Sequence, residues 1–242
     1  METIAKGILY LIPNLLGGED TGILPDQIRQ ILPQLNVFIV ESCKQARRFL
    51  VKMGIKQTGR NLDELTFYEI GEHADKNVFA DFLLPAHNGQ HIGLISDAGC
   101  PAVADPGALI VRLAHEANIA VCPLVGPSSL LLALMASGMN GQNFAFNGYL
   151  PIARHERSHR IRHLEQRARQ EQQTQLFIET PYRNLALFDD FLATCRPDTR
   201  LSLAVNLTLT DQWVRTLPIA KWKQLTQKPD IHKKTTVFVL GI

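Results

Sequence analysis

Apolar and polar positions alternate along this chain in two different periods. Short apolar runs suited to strands buried on both faces fall at 7–12, 37–40, 92–95 and 120–125, with a weaker one at 65–70. Helix-spaced stretches separate them, at 25–35, 43–53 and 75–85, and from Leu109 through Ile110 and Leu113 to Ala114. Strands alternating with helices at this spacing predict a parallel sheet with right-handed crossovers. The second half opens with an apolar helix at 128–136 and an irregular stretch at 138–151 that carries Phe144, Phe146 and Tyr149. A strongly charged helix at 153–171, a strand at 175–178, a helix at 183–193 and strands at 201–205, 213–217 and 236–240 follow. Its adjacent strand pairs predict a mixed sheet. The expected fold class is α/β, with two α/β domains at 1–121 and 122–242.

Composition narrows the class without naming an activity. With 242 residues, 45% hydrophobic and 20% charged, the chain matches ordinary globular proteins. A net charge of +2 is too small to argue for a nucleic-acid partner, so any such case rests on local clustering. Cys43, Cys100, Cys122 and Cys195 are far apart, with no metal-ligand spacing, which fits reduced thiols in a cytoplasmic protein. The first residues, with an acid at position two, lack the pattern of a signal peptide, and no apolar run is long enough to span a bilayer.

Chemistry is expected in the loops at the carboxyl ends of the predicted parallel strands, where open α/β sheets bind ligands. Three stand out: 13–18, 96–106 and 125–129. The second reads Ser96-Asp97-Ala98-Gly99-Cys100-Pro101 and leads into Asp105-Pro106-Gly107. Asp before Pro marks a helix start, so capping accounts for Asp105. Asp97 has no such local duty, and its carboxylate suits an amine or a ribose hydroxyl. Gly126-Pro127-Ser128-Ser129 joins strand to helix, and its amides and hydroxyls suit a carboxylate or phosphate. A dinucleotide reading is weak: Gly17-Gly18 and Glu41 are suitably placed, but G-x-G-x-x-G is absent.

Two further clusters lie in the second half. Glu179-Thr180-Pro181-Tyr182-Arg183 follows a buried strand; Thr180 and Pro181 read as a helix start, whereas Glu179 and Arg183 are either an ion pair or a substrate site. Arg154, Arg157, Arg160, Arg162, Arg167 and Arg169 share one helix with His155, His159 and His163. That helix is either a solvated face or a phosphate-contacting surface, since arginine forks match phosphate oxygens. No metal site is expected.

The run from Ser96 to Gly107 resembles the S-D-A-G-T-P…D-P-G signature of the bacterial small-subunit ribosomal RNA cytidine ribose 2′-O-methyltransferases, a branch of the tetrapyrrole methylase superfamily. Leu9 to Pro13 is similar to that family's opening strand and loop, Pro123 to Ser128 to its P-L-P-G-P, Gly148 to Pro151 to its G-F-L-P, and Phe177 to Arg183 to its F-Y-E-S-x-H-R. The resemblance implies the tetrapyrrole methylase fold, commonly a homodimer, with S-adenosyl-L-methionine folded between two α/β domains. It would place the cofactor against Pro13, Ser96, Asp97, Ala98, Gly99, Cys100, Pro101, Gly126, Pro127, Ser128 and Ser129. It also implies methyl transfer to RNA, with a small-subunit ribosomal RNA ribose as the leading acceptor. A ribose hydroxyl needs a nearby base, and Glu179 is the candidate expected for it, with Arg183 on phosphate. RNA would be met by the 154–169 helix.

Departures from the pattern lie away from the cofactor motifs. The family's E-D-T-R is Glu41-Ser42-Cys43-Lys44, and its R-E-L-T-K is Val205-Asn206-Leu207-Thr208-Leu209. The family's additional carboxy-terminal region has no counterpart. Two alternatives therefore stand beside RNA methylation: methyl transfer to a small tetrapyrrole-like molecule, and a regulatory protein that binds the cofactor without catalysis.

Overall fold

The computed structural model describes residues 5–71 and 74–242, and these divide by packing into two units, 1–128 and 129–242. Residues 1–4, where a leader pattern would begin, and 72–73 lie outside the described residues. The division falls between Ser128 and Ser129, seven residues beyond the boundary expected after residue 121. That boundary would have split β5, the strand Ala120–Pro123, which is an edge of the first sheet.

Unit 1 holds β1 (Ile8–Ile12), β2 (Val37–Val40), β3 (Thr66–Glu69), β4 (Ile92–Ile95) and β5 in one parallel sheet, in the order β3-β2-β4-β1-β5. Its helices are α1 (Asp26–Ile31), α2 (Cys43–Lys52), α3 (Leu84–His87) and α4 (Gly107–Glu116). β2 and β4 are buried throughout, and apolar cores lie on both faces of the sheet. This is why both strands read as continuous apolar runs instead of alternating ones. Gly93 sits where a Cβ would come within 2.8 Å of Ile12 and 2.9 Å of Phe38, so the interior of β4 has no room for a side chain.

The predicted helix at 75–85 is instead a series of tight turns, 76–78 and 81–83, followed by the four-residue α3. Phe79, Leu83 and Ala86 recur at helical spacing and all point into the core, which explains the reading. Pro85 lacks an amide hydrogen and is tolerated only at the start of a helix, so one continuous helix cannot run through it.

Unit 2 holds α5 (Ser129–Ser137), β6 (Phe144–Phe146), α6 (Arg154–Glu171), β7 (Thr174–Ile178), α7 (Asn184–Thr194), β8 (Arg200–Val205), β9 (Trp213–Pro218), α8 (Ile219–Lys223) and β10 (Thr236–Gly241). Its sheet runs β6-β7-β10-β8-β9; β6 pairs parallel with β7, and the other pairs are antiparallel. The expected parallel and mixed sheets are both present. The short β6 and α8 were not anticipated from the sequence. No helix among the described residues is long and apolar enough to cross a membrane.

Candidate cofactor and substrate residues

In unit 1 the chain leaves β1 toward β2, on one side of the sheet, and leaves β4 toward β5, on the other. The order therefore reverses between the neighbouring strands β1 and β4. Loops diverge at such a switch point and leave a crevice beyond the carboxyl ends of the strands. Pro13, Asn14 and the Ser96–Pro101 loop occupy that position.

Asn14 fixes the crevice. It is buried, and its side-chain amide donates to the carbonyls of Ser96 (3.0 Å) and Asp97 (3.2 Å), while its Oδ1 accepts from the Leu15 amide (2.7 Å). Its own backbone amide donates to the Gly99 carbonyl at 2.9 Å, so one residue joins the two loops by three bonds. Nothing in the sequence marks Asn14, because its partners are backbone carbonyls and leave no side-chain pattern.

The third loop is tied to the second. The Cys100 thiol donates to the Pro127 carbonyl at 3.4 Å, and burial pushes that thiol's pKa up, which favours the protonated donor. At Gly126 a Cβ would lie 2.1 Å from the Cβ of Pro13. The first and third loops therefore touch at a position only glycine can fill. Gly99 has φ +68°, the left-handed region that glycine enters without penalty. Ala102 and Ala104 adopt φ +65° and +62° without that freedom, so the segment before α4 holds some strain.

Asp105 does more than cap. Its carboxylate accepts from the Gly107 amide at 2.7 Å and from the Ala102 amide at 2.9 Å, closing the loop as well as starting α4. Pro106 precedes the first helical residue instead of filling it. Burial, only partly offset by the two amides, raises the Asp105 pKa to about 6.

Asp97 is exposed, and its amide donates to Glu41 Oε2 at 3.0 Å. Its carboxyl pKa is raised, first by desolvation and then by the Glu41 charge. Glu41 thus orients the Asp97 backbone while its charge works against ionisation of the Asp97 side chain. Among the described residues, the amides of Ala98 and Gly126 meet no protein acceptor, whereas Gly99 is paired with Asn14 in an antiparallel bridge. An exposed carboxylate beside free amides fits a ligand that brings hydroxyl or ammonium donors and a carboxylate acceptor. That is the polar complement of S-adenosylmethionine. Ser128 ends unit 1, and Ser129 opens α5.

In unit 2, Glu179 and Arg183 form an ion pair. Glu179 Oε1 accepts from Arg183 Nη2 (2.6 Å), from Arg183 Nε (3.0 Å) and from the Thr180 amide (2.6 Å). The glutamate side chain is 2% exposed, and its Oε2 accepts no hydrogen bond among the described residues. The predicted helix start at Thr180-Pro181 does not form. Bonding of Glu179 to Thr180 and Arg183 draws 180–183 into a turn, and α7 begins at Asn184.

Most of the arginines on α6 have structural partners. Arg154 and Arg157 both bind the buried Asp190, Arg167 pairs with Glu171, and Arg169 with Asp198. Arg160 and Arg162 are exposed and have no ion pair among the described residues.

No family model matches the chain. Ribosomal RNA small subunit methyltransferase I of Xylella fastidiosa (strain Temecula1) is 30% identical over 200 residues, 83% of this chain and 68% of that protein. The protein of the same name from Vibrio cholerae serotype O1 is 27% identical over 241 residues, 99% of this chain and 79% of its own length. Among solved structures, the methyltransferase CobJ superposes with a TM-score of 0.62 at 14% identity, covering 98% of this chain and 94% of that one. Uroporphyrin-III C-methyl transferase from Thermus thermophilus, complexed with S-adenyl homocysteine, gives 0.57 at 15% identity, covering 97% of each. These structures share the two-unit α/β fold of the tetrapyrrole methylases.

Proposed function

The chain belongs to the ribosomal RNA small subunit methyltransferase I family, and from that membership we propose an S-adenosylmethionine-dependent methyltransferase acting on a ribose 2′-hydroxyl of small-subunit ribosomal RNA. The observation that carries this reading is the crevice between β1 and β4, held open by Asn14 and edged by Asp97 and unpartnered amides. S-adenosylmethionine supplies a methyl group already activated on a sulfonium, so the chain must mainly bind, orient and exclude water. Pro13, Ser96 to Pro101 and Gly126 to Ser128 would hold it, with Asp97 accepting from its polar hydrogens.

A ribose hydroxyl is a poor nucleophile until a base takes its proton. Glu179 is the proposed base, through Oε2, the oxygen its ion pair leaves open. Arg183 is a positioning residue: two bonds to Oε1 fix the carboxylate and direct the other oxygen away from the pair. Arg160 and Arg162 are the α6 groups available to RNA phosphates. A homodimer belongs to the same reading, supported by the exposed apolar side chain of Met135 on α5, and light scattering tests it.

Calorimetric titration with S-adenosylmethionine tests the site. Binding to the wild-type protein that falls at least tenfold in Asp97→Ala is expected; equal affinity in that variant would remove Asp97 from the site. Nucleoside mass spectrometry of RNA from a deletion strain tests the acceptor, with one methylated nucleoside expected to disappear.

A further inference from the structure

Unit 1 contains a cavity of about 560 Å³ between α2 and the loop that follows β1. Arg47, Arg48 and Lys52 line one side, the glycine pair Gly17-Gly18 another, and Phe49 and Leu62 supply apolar surface. Asn14 and Asp97 also border it, so the cavity adjoins the crevice described above.

The three cations are not equivalent. Arg47 is held by Asp63 at 3.0 Å and lies over the Phe67 ring at 4.9 Å. Lys52 donates to the Gly18 carbonyl at 3.1 Å and pairs at 2.9 Å with Glu19, whose side chain is 81% exposed. Arg48 is exposed and, among the described residues, meets only Gln45, at 3.5 Å, the limit of a hydrogen bond. One cation is therefore anchored, one is tethered to a solvated partner, and one is unspent. A guanidinium without a carboxylate beside an apolar wall suits a ligand with an anionic oxygen group and a planar body.

We propose that this cavity receives a nucleotide of the RNA strand next to the methylated ribose, with Arg48 on its phosphodiester, Lys52 as a second contact and the base against the apolar surface. The inference rests on the RNA-methyltransferase reading and adds a substrate subsite to it. Adjacency to Asp97 favours it: a strand lying in the cavity reaches the rim of the cofactor crevice without leaving unit 1.

The test measures three quantities on the full chain: calorimetric affinity for S-adenosylmethionine, binding of a short labelled single-stranded RNA across a salt series, and methyl transfer to undermethylated small subunits. Arg48→Glu is expected to weaken RNA binding about tenfold and to lower the salt slope by about one, as for loss of one phosphate contact. It is expected to raise KM for the RNA and leave cofactor affinity within twofold. Arg48→Lys is expected to recover most of the binding, which ties the loss to charge. Unchanged RNA binding and KM in Arg48→Glu would overturn the subsite, even if the wild type methylates RNA. Loss of RNA binding in Arg48→Glu with no methyl transfer by the wild type would overturn the enzymatic reading and keep the subsite. Calorimetry with cytidine monophosphate separates the sources of phosphate: binding of that nucleotide by a protein that does not bind the RNA would make the ligand a free nucleotide and overturn the proposal.

Discussion

The side-chain amide of Asn14 donates to the carbonyl of Ser96 across 3.0 Å, joining two loops that are 82 residues apart in sequence. Asn14→Ala removes this bond, its companion to Asp97 and the acceptor for Leu15. Buried groups left unpaired cost about 1–3 kcal/mol, so thermal unfolding should move down by several degrees. Cofactor affinity should fall with it. Asn14→Asp keeps the Leu15 acceptor but sets a carboxylate against two carbonyls, and calorimetry should rank it below Asn14→Ala.

At Gly126 the expected effect is steric. Adding a Cβ 2.1 Å from that of Pro13 forces backbone apart, and overpacking of this kind costs about 1–3 kcal/mol. Gly126→Ala should lose cofactor affinity at least tenfold while circular dichroism stays near that of the wild type. Pairing it with Pro13→Gly should restore part of the affinity, because the ring atoms at 2.1 and 2.5 Å are both removed.

Asp105 makes a signed prediction about pH. Its folded pKa, about 6, lies above the ordinary value of 3.8, so the folded state holds the proton more tightly than the unfolded chain. The favourable contribution is fully present below the unfolded value and is lost as pH rises through about 6. In Asp105→Asn that dependence disappears. Melting temperatures of the two proteins, followed from pH 4 to 7, should therefore shift in favour of the variant as pH rises. A constant difference across that range would exclude the Asp105 carboxyl as the titrating group.

Glu179→Gln keeps the shape of the proposed base and removes its basicity. Methyl transfer is expected to fall roughly 10²-fold or more with cofactor affinity unchanged, as for loss of a general base. Arg183→Met should lower the rate less and shift the pH–rate profile, because it leaves the Glu179 carboxylate in place but unpaired. A pH–rate profile in Arg183→Met identical to that of the wild type would remove the positioning role.

Periodicity made most of the architecture legible. β2 and β4 are buried on every position and read as unbroken apolar runs, and the amphipathic α2 carries its cations on one side of Ala46, Phe49 and Leu50. β6 escaped notice because three residues are too few to show a period. Asp97 stood out in its loop because capping and turn chemistry give its side chain no local duty. Asn14 and Glu41 act on backbone groups distant in sequence, and no spacing rule reports such contacts. Thr180-Pro181 misled because capping propensity yielded to the ion pair that closes over the turn.

The ties among the three strand-end loops fall within residues 13–127, and the last loop of the group closes against the first. During synthesis β1 and Pro13 emerge early and wait for more than a hundred residues before Gly126 arrives. The crevice is therefore completed by the final segment of unit 1 to leave the ribosome. A nascent chain arrested before Gly126 should have most of the sheet and no ordered ligand site.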